Sequence, residues 1–282
     1  MAIQIITDSA CDMSMSDAAV NNVIIIPLHV LFGADEYIDG ITLDHKRFYE
    51  KLIETDVFPT TSQISPFGYN ECFATILPED QILCITLSSK LSGCYQSACI
   101  AAMDYDKRVI VVDSENVSVG ERILVDIAVK ARDEGKTIEE IADILETMKK
   151  KVRLLALLDT LEYLKKGGRI SSAAAIAGNL LAIKPVISVI HGEVVVIGKA
   201  RGSKAGNNKL NELISQDGGI DFNYPVHLAY SGLDDTLLLK YKEDCSYVYE
   251  NHVDDLPIST IGCTIGTHAG PGTIIIAYIC SK

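Results

Sequence analysis

The stretch Leu87-Ser88-Ser89-Lys90-Leu91-Ser92-Gly93-Cys94-Tyr95-Gln96-Ser97-Ala98 gathers hydroxyls and a glycine at one place in the chain. The apolar run from Ile82 to Leu87 precedes it and reads as a buried strand. Small or apolar residues then recur at Leu91, Cys94, Tyr95, Ala98, Cys99 and Ala102, the spacing of one helix face. A hydroxyl-rich turn between a strand and a helix offers free backbone N–H groups and the positive end of the helix dipole, which suits an anion. The chemistry expected is capture of a carboxylate whose apolar remainder is buried, with Ser92 and Gly93 in contact with it. The alternative is an acyl hydrolase or acyltransferase, with Ser92 as nucleophile and His268 as base. The G-x-S-x-G elbow is absent, which favours holding over reacting.

Two further stretches can supply co-ligands. Thr60-Thr61-Ser62-Gln63-Ile64-Ser65 reads as a polar loop before a helix. Ser65 is the cap of that helix, with Pro66 at its first position. Thr61 and Ser62 are either ligand contacts or turn-forming hydroxyls. His268 stands in Gly266-Thr267-His268-Ala269-Gly270-Pro271-Gly272, where flanking glycines let the backbone approach a ligand and put the His at a loop tip. Asp8 and Asp113 end strands, where α/β sheets put their sites. No acidic partners accompany them, so helix capping is the reading for both, and no metal site is expected.

Gly167-Gly168-Arg169-Ile170-Ser171 and Lys199-Ala200-Arg201-Gly202-Ser203-Lys204 are basic loops in an acidic chain. Neither is a phosphate-binding P-loop, since G-x-x-x-x-G-K-S/T is absent. A partner-docking surface and plain solvated charge both remain open. The 282 residues carry 25 basic and 38 acidic side chains, a formal charge of −13, which argues against a general nucleic-acid binder. It also leaves at most transient contact with an anionic membrane. The eight Cys form no C-x-x-C pair and lie mostly in apolar segments, as small buried hydrophobes do in a reducing cytosol. Met1-Ala2-Ile3-Gln4 lacks a basic leader and no apolar run reaches membrane-span length, so a cytoplasmic location is expected.

These residues need elements to position them. Ile3–Ile6, Val23–Ile26, Ile82–Leu87 and the run from 108 to 112 read as near-continuous apolar strands alternating with helices. Helices are expected over 44–54, 119–133 and after the capping box Thr137-Ile138-Glu139-Glu140. Leu28–Phe32 and Glu36–Ile38 read as a hairpin, as do Pro185–Ile190 and Glu193–Ile197. An Ala-rich helix is expected after Ser172 to about Leu181, and a strand over Tyr247–Val253. The fold class is α/β with two domains: an N-terminal three-layer α/β/α domain with a mainly parallel sheet, and a C-terminal mixed-sheet α/β domain. Residues 1–158 and 159–282 form the two, with the ligand site between them.

Read together, Ile5-Ile6-Thr7-Asp8-Ser9, Thr61-Ser62-Gln63-Ile64-Ser65, the stretch Ser88 to Ala98, Gly167-Gly168-Arg169-Ile170-Ser171 and His268-Ala269-Gly270-Pro271-Gly272 resemble the DegV family over essentially the whole chain. Two positions depart from the family pattern. Ile64 stands where T-S-Q-P-S has its proline, and Cys94 stands where S-S-x-L-S-G-T-Y-Q-S-A has its threonine. The resemblance implies a bacterial fatty-acid-binding carrier without a cofactor or catalysis of its own. A long-chain fatty acid would lie between the domains, its carboxylate held by Thr61, Ser92 and His268. It further implies a fatty acid kinase catalytic subunit as partner, which phosphorylates the carboxylate, and Arg169 and Arg201 as residues that meet that subunit.

Overall fold

A computed structural model describes residues 2–106, 108–170, 183–250, 252–253 and 256–282. The Ala-rich helix expected to about Leu181, together with Ser171 and Ser172, lies outside the described residues.

The first half opens with β1 (Ile3–Asp8), α1 (Met15–Val20) and β2 (Val23–Ile26). The hairpin β3 (His29–Phe32) and β4 (Asp35–Ile38) follows, then α2 (His45–Glu54), β5 (Thr60–Ser62) and α3 (Pro66–Phe73). Next come β6 (Gln81–Thr86), α4 (Cys94–Ala102), β7 (Val109–Asp113), α5 (Ser118–Asp133) and α6 (Ile138–Met148). Strands β2-β1-β6-β7 pair in parallel in that order, and β4-β3-β5 make a small antiparallel sheet beside them. Burial on both faces explains the successive apolar residues Ile5-Ile6 of β1 and Ile82-Leu83-Cys84-Ile85 of β6. Helix starts are set locally. Ser65 accepts the Gly68 N–H behind Pro66, and Thr137 and Glu140 close a capping box.

The second half adds β8 (Val152–Leu157), α7 (Glu162–Lys166), β9 (Ile183–Ile190), β10 (Glu193–Arg201) and α8 (Gly202–Gln216). Then follow β11 (His227–Tyr230), α9 (Thr236–Asp244), β12 (Ile258–Thr260), α10 (Cys263–Ala269) and β13 (Ile274–Ile279). Its sheet runs β10-β9-β8-β13-β11-β12 and is antiparallel except for the β11–β12 pair. The architecture is thus mixed α/β, with a parallel sheet, a mixed sheet and the small antiparallel sheet β4-β3-β5. Helix α5 packs against both: its Val119, Ile123, Leu124 and Ala128 share one core with Ile5, Leu83, Leu154 and Ile275. Each of those larger side chains contributes about 1.5–3 kcal/mol on burial.

Several expectations change here. A division after residue 158 leaves β8 in the first half, although β8 hydrogen-bonds to β13 and β9 of the mixed sheet. Thr60–Ser62 is strand and not loop, because Thr61 pairs with Val30 on the free edge of β3. Lys199–Arg201 extends β10 and is not loop. Past an irregularity between Val196 and Gly198 the pairing with β9 resumes, so Lys199 and Arg201 point outward while Ala200 is buried. No strand forms at Tyr247–Val253 among the described residues. Ser246–Val248 is a 3-10 turn, and β12 takes the place beside β11.

Candidate functional site

A cavity of about 210 Å³ lies between strands of the mixed sheet and, from the first half, strand β5 and the segments around Leu28, residues 87–93 and Val117. One wall is a face of the mixed sheet. Leu154 and Ala156 of β8 and Leu158 just past its end alternate toward it, joined by Ile187 and Val189 of β9 and Ile275 of β13. Leu28, Leu87, Leu91 and Val117 close it from the first half. From Leu158 to Leu154 the strand rises about 13 Å, and that length is lined by aliphatic side chains.

The polar lining is gathered by short links. Thr61 Oγ1 and His268 Nε2 lie 3.0 Å apart in hydrogen-bond contact. Gly167 packs on the same imidazole so closely that a Cβ there would fall 2.2 Å from Nδ1. Arg169, two residues on, donates through Nε to Leu91 O at 3.1 Å and through Nη1 to Gly167 O at 2.7 Å. Ser92 donates to Cys94 Sγ at 3.2 Å and accepts the Cys94 N–H at 3.4 Å. Gly93 caps α4 without a side chain, and a Cβ on it would lie 2.0 Å from Gln63 Oε1. Only a glycine lets the Gln63 amide lie there, where its Nε2 reaches Ser97 Oγ at 3.1 Å. Thr61, Ser62, Gln63, Ser92, Gly93, Arg169 and His268 all line the cavity, and Ser62 is exposed at its mouth.

The hydroxyl turn is held from below. Asp8 accepts the Leu87 N–H at 2.9 Å and the Ala10 N–H at 3.0 Å. Ser88 donates to Gly192 O at 2.7 Å, tying the turn to the β9–β10 hairpin. Asp113 accepts the Ser89 and Glu115 N–H groups in a turn and caps no described helix, whereas Asp8 caps the 3-10 turn Ser9–Cys11. Burial pushes the Asp8 carboxyl up to about 7, against the weaker pull of its two backbone donors.

The electrostatics suit an anion better than a nucleophile. Burial first, and the positive Arg169 second, hold the His268 pKa down at about 4, so the ring is neutral near pH 7. His268 contacts Thr61 and not Ser92, and its Nδ1 is buried without a partner. A serine hydrolase needs its base on the serine and an orienting group behind the base. Ser92 instead hydrogen-bonds to Cys94, whose thiol burial pushes up to about 11. All eight cysteines are free, and no group of His, Cys, Asp or Glu with metal-holding geometry occurs among the described residues.

His268 is not at a loop tip, as the glycine-rich flanks suggest, but in the last turn of the seven-residue helix α10. That helix also brings Thr264 to the cavity, one turn earlier on the same face. Arg169 lines the cavity, whereas the family resemblance implies a docking role for it. Arg201 is exposed at the end of β10 and does not line the cavity. Gln63, Thr264 and Thr273 are cavity residues that reasoning from sequence passes over. The i, i+4 spacing of Thr264 and His268 was the available signal, hidden because a seven-residue segment ending in glycines does not read as a helix.

A family model described as an uncharacterised protein of the DegV family matches residues 2–281. A DegV domain-containing protein of Clostridium acetobutylicum is 37% identical over 281 residues, 98% of both chains. A DegV family protein from Thermus thermophilus, whose structure is described as one of fatty acid binding, superposes with a TM-score of 0.89. It is 32% identical, with 99% of this chain and 100% of the other covered. DegV of Bacillus subtilis, described as a fatty acid binding protein, gives 0.85 at 30% identity with 100% of both chains covered. The family match spans nearly the whole chain and includes every motif that lines the cavity: the chain belongs to the DegV family.

Proposed function

We propose that this protein binds a long-chain fatty acid in the cavity and presents its carboxylate to a separate kinase subunit, which forms the acyl phosphate. The observation that carries the binding step is the lining of the cavity: a long aliphatic wall, together with the polar residues Thr61, Ser92, Arg169 and His268, of which Thr61 and His268 are hydrogen-bonded to each other. Burying each methylene is worth about 0.8 kcal/mol, so a long acyl chain supplies on the order of 10 kcal/mol of gross driving force. Few polar groups are then needed to orient the head. Thr61, Ser62, Ser92, Gly93 and His268 hold the carboxylate, with no catalytic role for any of them. The fatty-acid binding of the Thermus and Bacillus relatives supports the same ligand class.

The kinase step is supported by the family resemblance and by the exposed Ser62 at the cavity mouth, which leaves the head end reachable. Arg201 has the exposure a docking residue needs, and Arg169 stands between that role and the ligand. A two-domain organisation with the ligand between the domains belongs to this reading, and the pairing of β8 with β9 and β13 favours a division before Val152 over one after residue 158. No described helix is long and apolar enough to cross a membrane, which fits a carrier working in the cytoplasm. Native mass spectrometry of protein purified without added lipid should show a fatty acid at one per chain. A protein that is empty and takes up neither oleate nor palmitate refutes the proposal. The kinase step is tested separately, by acyl phosphate formation when the loaded protein meets a DegV-dependent kinase subunit and ATP.

A further inference from the structure

The turn that starts α10, residues 261–264, is gripped by side chains from the first 49 residues of the chain. Asp39 Oδ1 accepts the Cys263 N–H at 2.9 Å, and its Oδ2 accepts the Thr264 N–H at 3.1 Å and the Ser9 hydroxyl at 3.0 Å. Asp12 Oδ1 accepts the Gly262 N–H at 2.8 Å, while its Oδ2 meets the Ser118 hydroxyl. On the other side of the turn, Tyr49 donates to Ile261 O at 3.2 Å, and His45 Nδ1 lies 3.0 Å from the same oxygen. Gly262, the N-cap residue, has no side chain to cap the helix. The orphan N–H groups of α10 are therefore satisfied by a carboxylate borrowed from more than 220 positions away in sequence. A carboxylate there also faces the positive end of the helix.

Helix α10 is short and its other side is the cavity wall. Thr264, Ile265, His268 and Ala269 all line the cavity. His268 lies five residues beyond Cys263, about 8 Å along the axis, so displacing the start of the helix moves the imidazole with it. We propose that Asp39 is a positioning residue of the ligand site: by fixing the start of α10 it sets where His268 meets Thr61 beside the carboxylate. This rests on the fatty-acid reading above for its functional consequence, while the placement of His268 is independent of any ligand.

The two aspartates differ in a way that makes the idea testable. Both Asp39 oxygens accept from donors that cannot reverse, since two of the three are backbone N–H groups, one on each oxygen. An asparagine there must turn its own N–H toward one of them. Asp12 has one backbone donor and one hydroxyl, and a hydroxyl can accept as well as donate, so asparagine satisfies both contacts.

The test uses the full chain, histidine-labelled for NMR, with the His268 resonances assigned by their loss in His268→Gln. Asp39→Asn should shift the His268 imidazole signals in lipid-free protein and speed oleate release about tenfold, the effect of one strong hydrogen bond. Asp12→Asn should leave His268 unmoved and change release by less than about twofold. A variant remote from the site, Leu145→Ala in α6, is brought to the same loss of Tm as Asp39→Asn by adjusting urea, and should leave both readouts unchanged. Unmoved His268 signals in Asp39→Asn overturn the proposal, and so does equal acceleration of release in Leu145→Ala. If Asp39→Asn does not fold, Tyr49→Phe removes one bond from the same turn, and unshifted His268 signals there overturn it as well. A wild-type protein that binds no oleate at all refutes the functional reading, yet leaves the His268 signals to decide the positioning role.

Discussion

Replacing His268 with glutamine separates its proton chemistry from its hydrogen bond to Thr61. Burial, and then the positive charge of Arg169, bring its pKa from 6.5 to about 4 in the folded protein. In the unfolded chain the ring titrates at its ordinary value, so between those two limits the unfolded state binds more protons. Stability from the neutral ring is therefore complete above pH 6.5 and is lost as pH falls toward 4. The full difference is about 3 kcal/mol, of which about 2 kcal/mol is gone by about pH 5. Other groups also titrate, notably the buried aspartates, so the measured quantity is the difference between two proteins. Urea denaturation of lipid-free wild type and His268→Gln, near pH 7.5 and about pH 5, should show wild type losing about 2 kcal/mol more than the variant. Glutamine keeps an amide within reach of Thr61 and does not titrate, which leaves the fold comparable at the higher pH. Equal pH dependence in both proteins would refute the reasoning, because it would mean that water reaches the ring and that the polar end is not dry. A carboxylate seated beside the ring favours the imidazolium, so oleate-loaded wild type should lose less on acidification than the lipid-free form.

Burial pushes the Asp12 carboxyl up to about 8, so its contribution to stability is present below the unfolded value of 3.8 and is lost as pH rises through 8. Asp12→Asn should flatten that decline, as read from urea midpoints across the range; an unchanged slope would show that Asp12 is ionised in the fold. Thr61→Ala combined with Ser92→Ala should lower the co-purifying lipid seen by native mass spectrometry about tenfold or more, with circular dichroism unchanged. Full occupancy in that double variant would place the head group elsewhere. Gly93→Ala puts a Cβ 2.0 Å from Gln63 Oε1, and the flexible amide must swing away from Ser97. The backbone at Gly93 is unstrained, with φ of −79°, so the loss should be about 1 kcal/mol by denaturation, and no loss would show that the amide does not hold Ser97.

Much of the frame was legible in the residues. Near-continuous apolar runs announce the strands of a covered sheet, and β1, β2, β6 and β7 form that parallel sheet. Ser65-Pro66 and the box at Thr137 and Glu140 mark helix starts because capping is a contact within four residues. The strand at Thr60–Ser62 was illegible because it has no apolar period. It exists because β3 offers an unpaired edge, and backbone pairing is blind to side-chain type. Tyr247–Val253 shows the reverse: strand-forming residues that bury Tyr249 from a turn, since β12 fills the sheet position.

The same division holds at the site. By its residue types alone the chain determined that a hydroxyl turn, a Thr/Ser stretch and a histidine stand out as polar candidates in an apolar sequence, and the structure places Thr61, Ser62, Ser92, Gly93 and His268 on one cavity. Only the tertiary structure decided which of them touch. It put His268 on Thr61 and not on Ser92, turned Arg169 into the cavity while Arg201 stayed outside, and gave the start of α10 to Asp39. Contacts within a turn are written in local spacing, which a sequence displays. Contacts between residues more than 200 positions apart depend on how two sheets pack across α5, and local spacing carries no record of that.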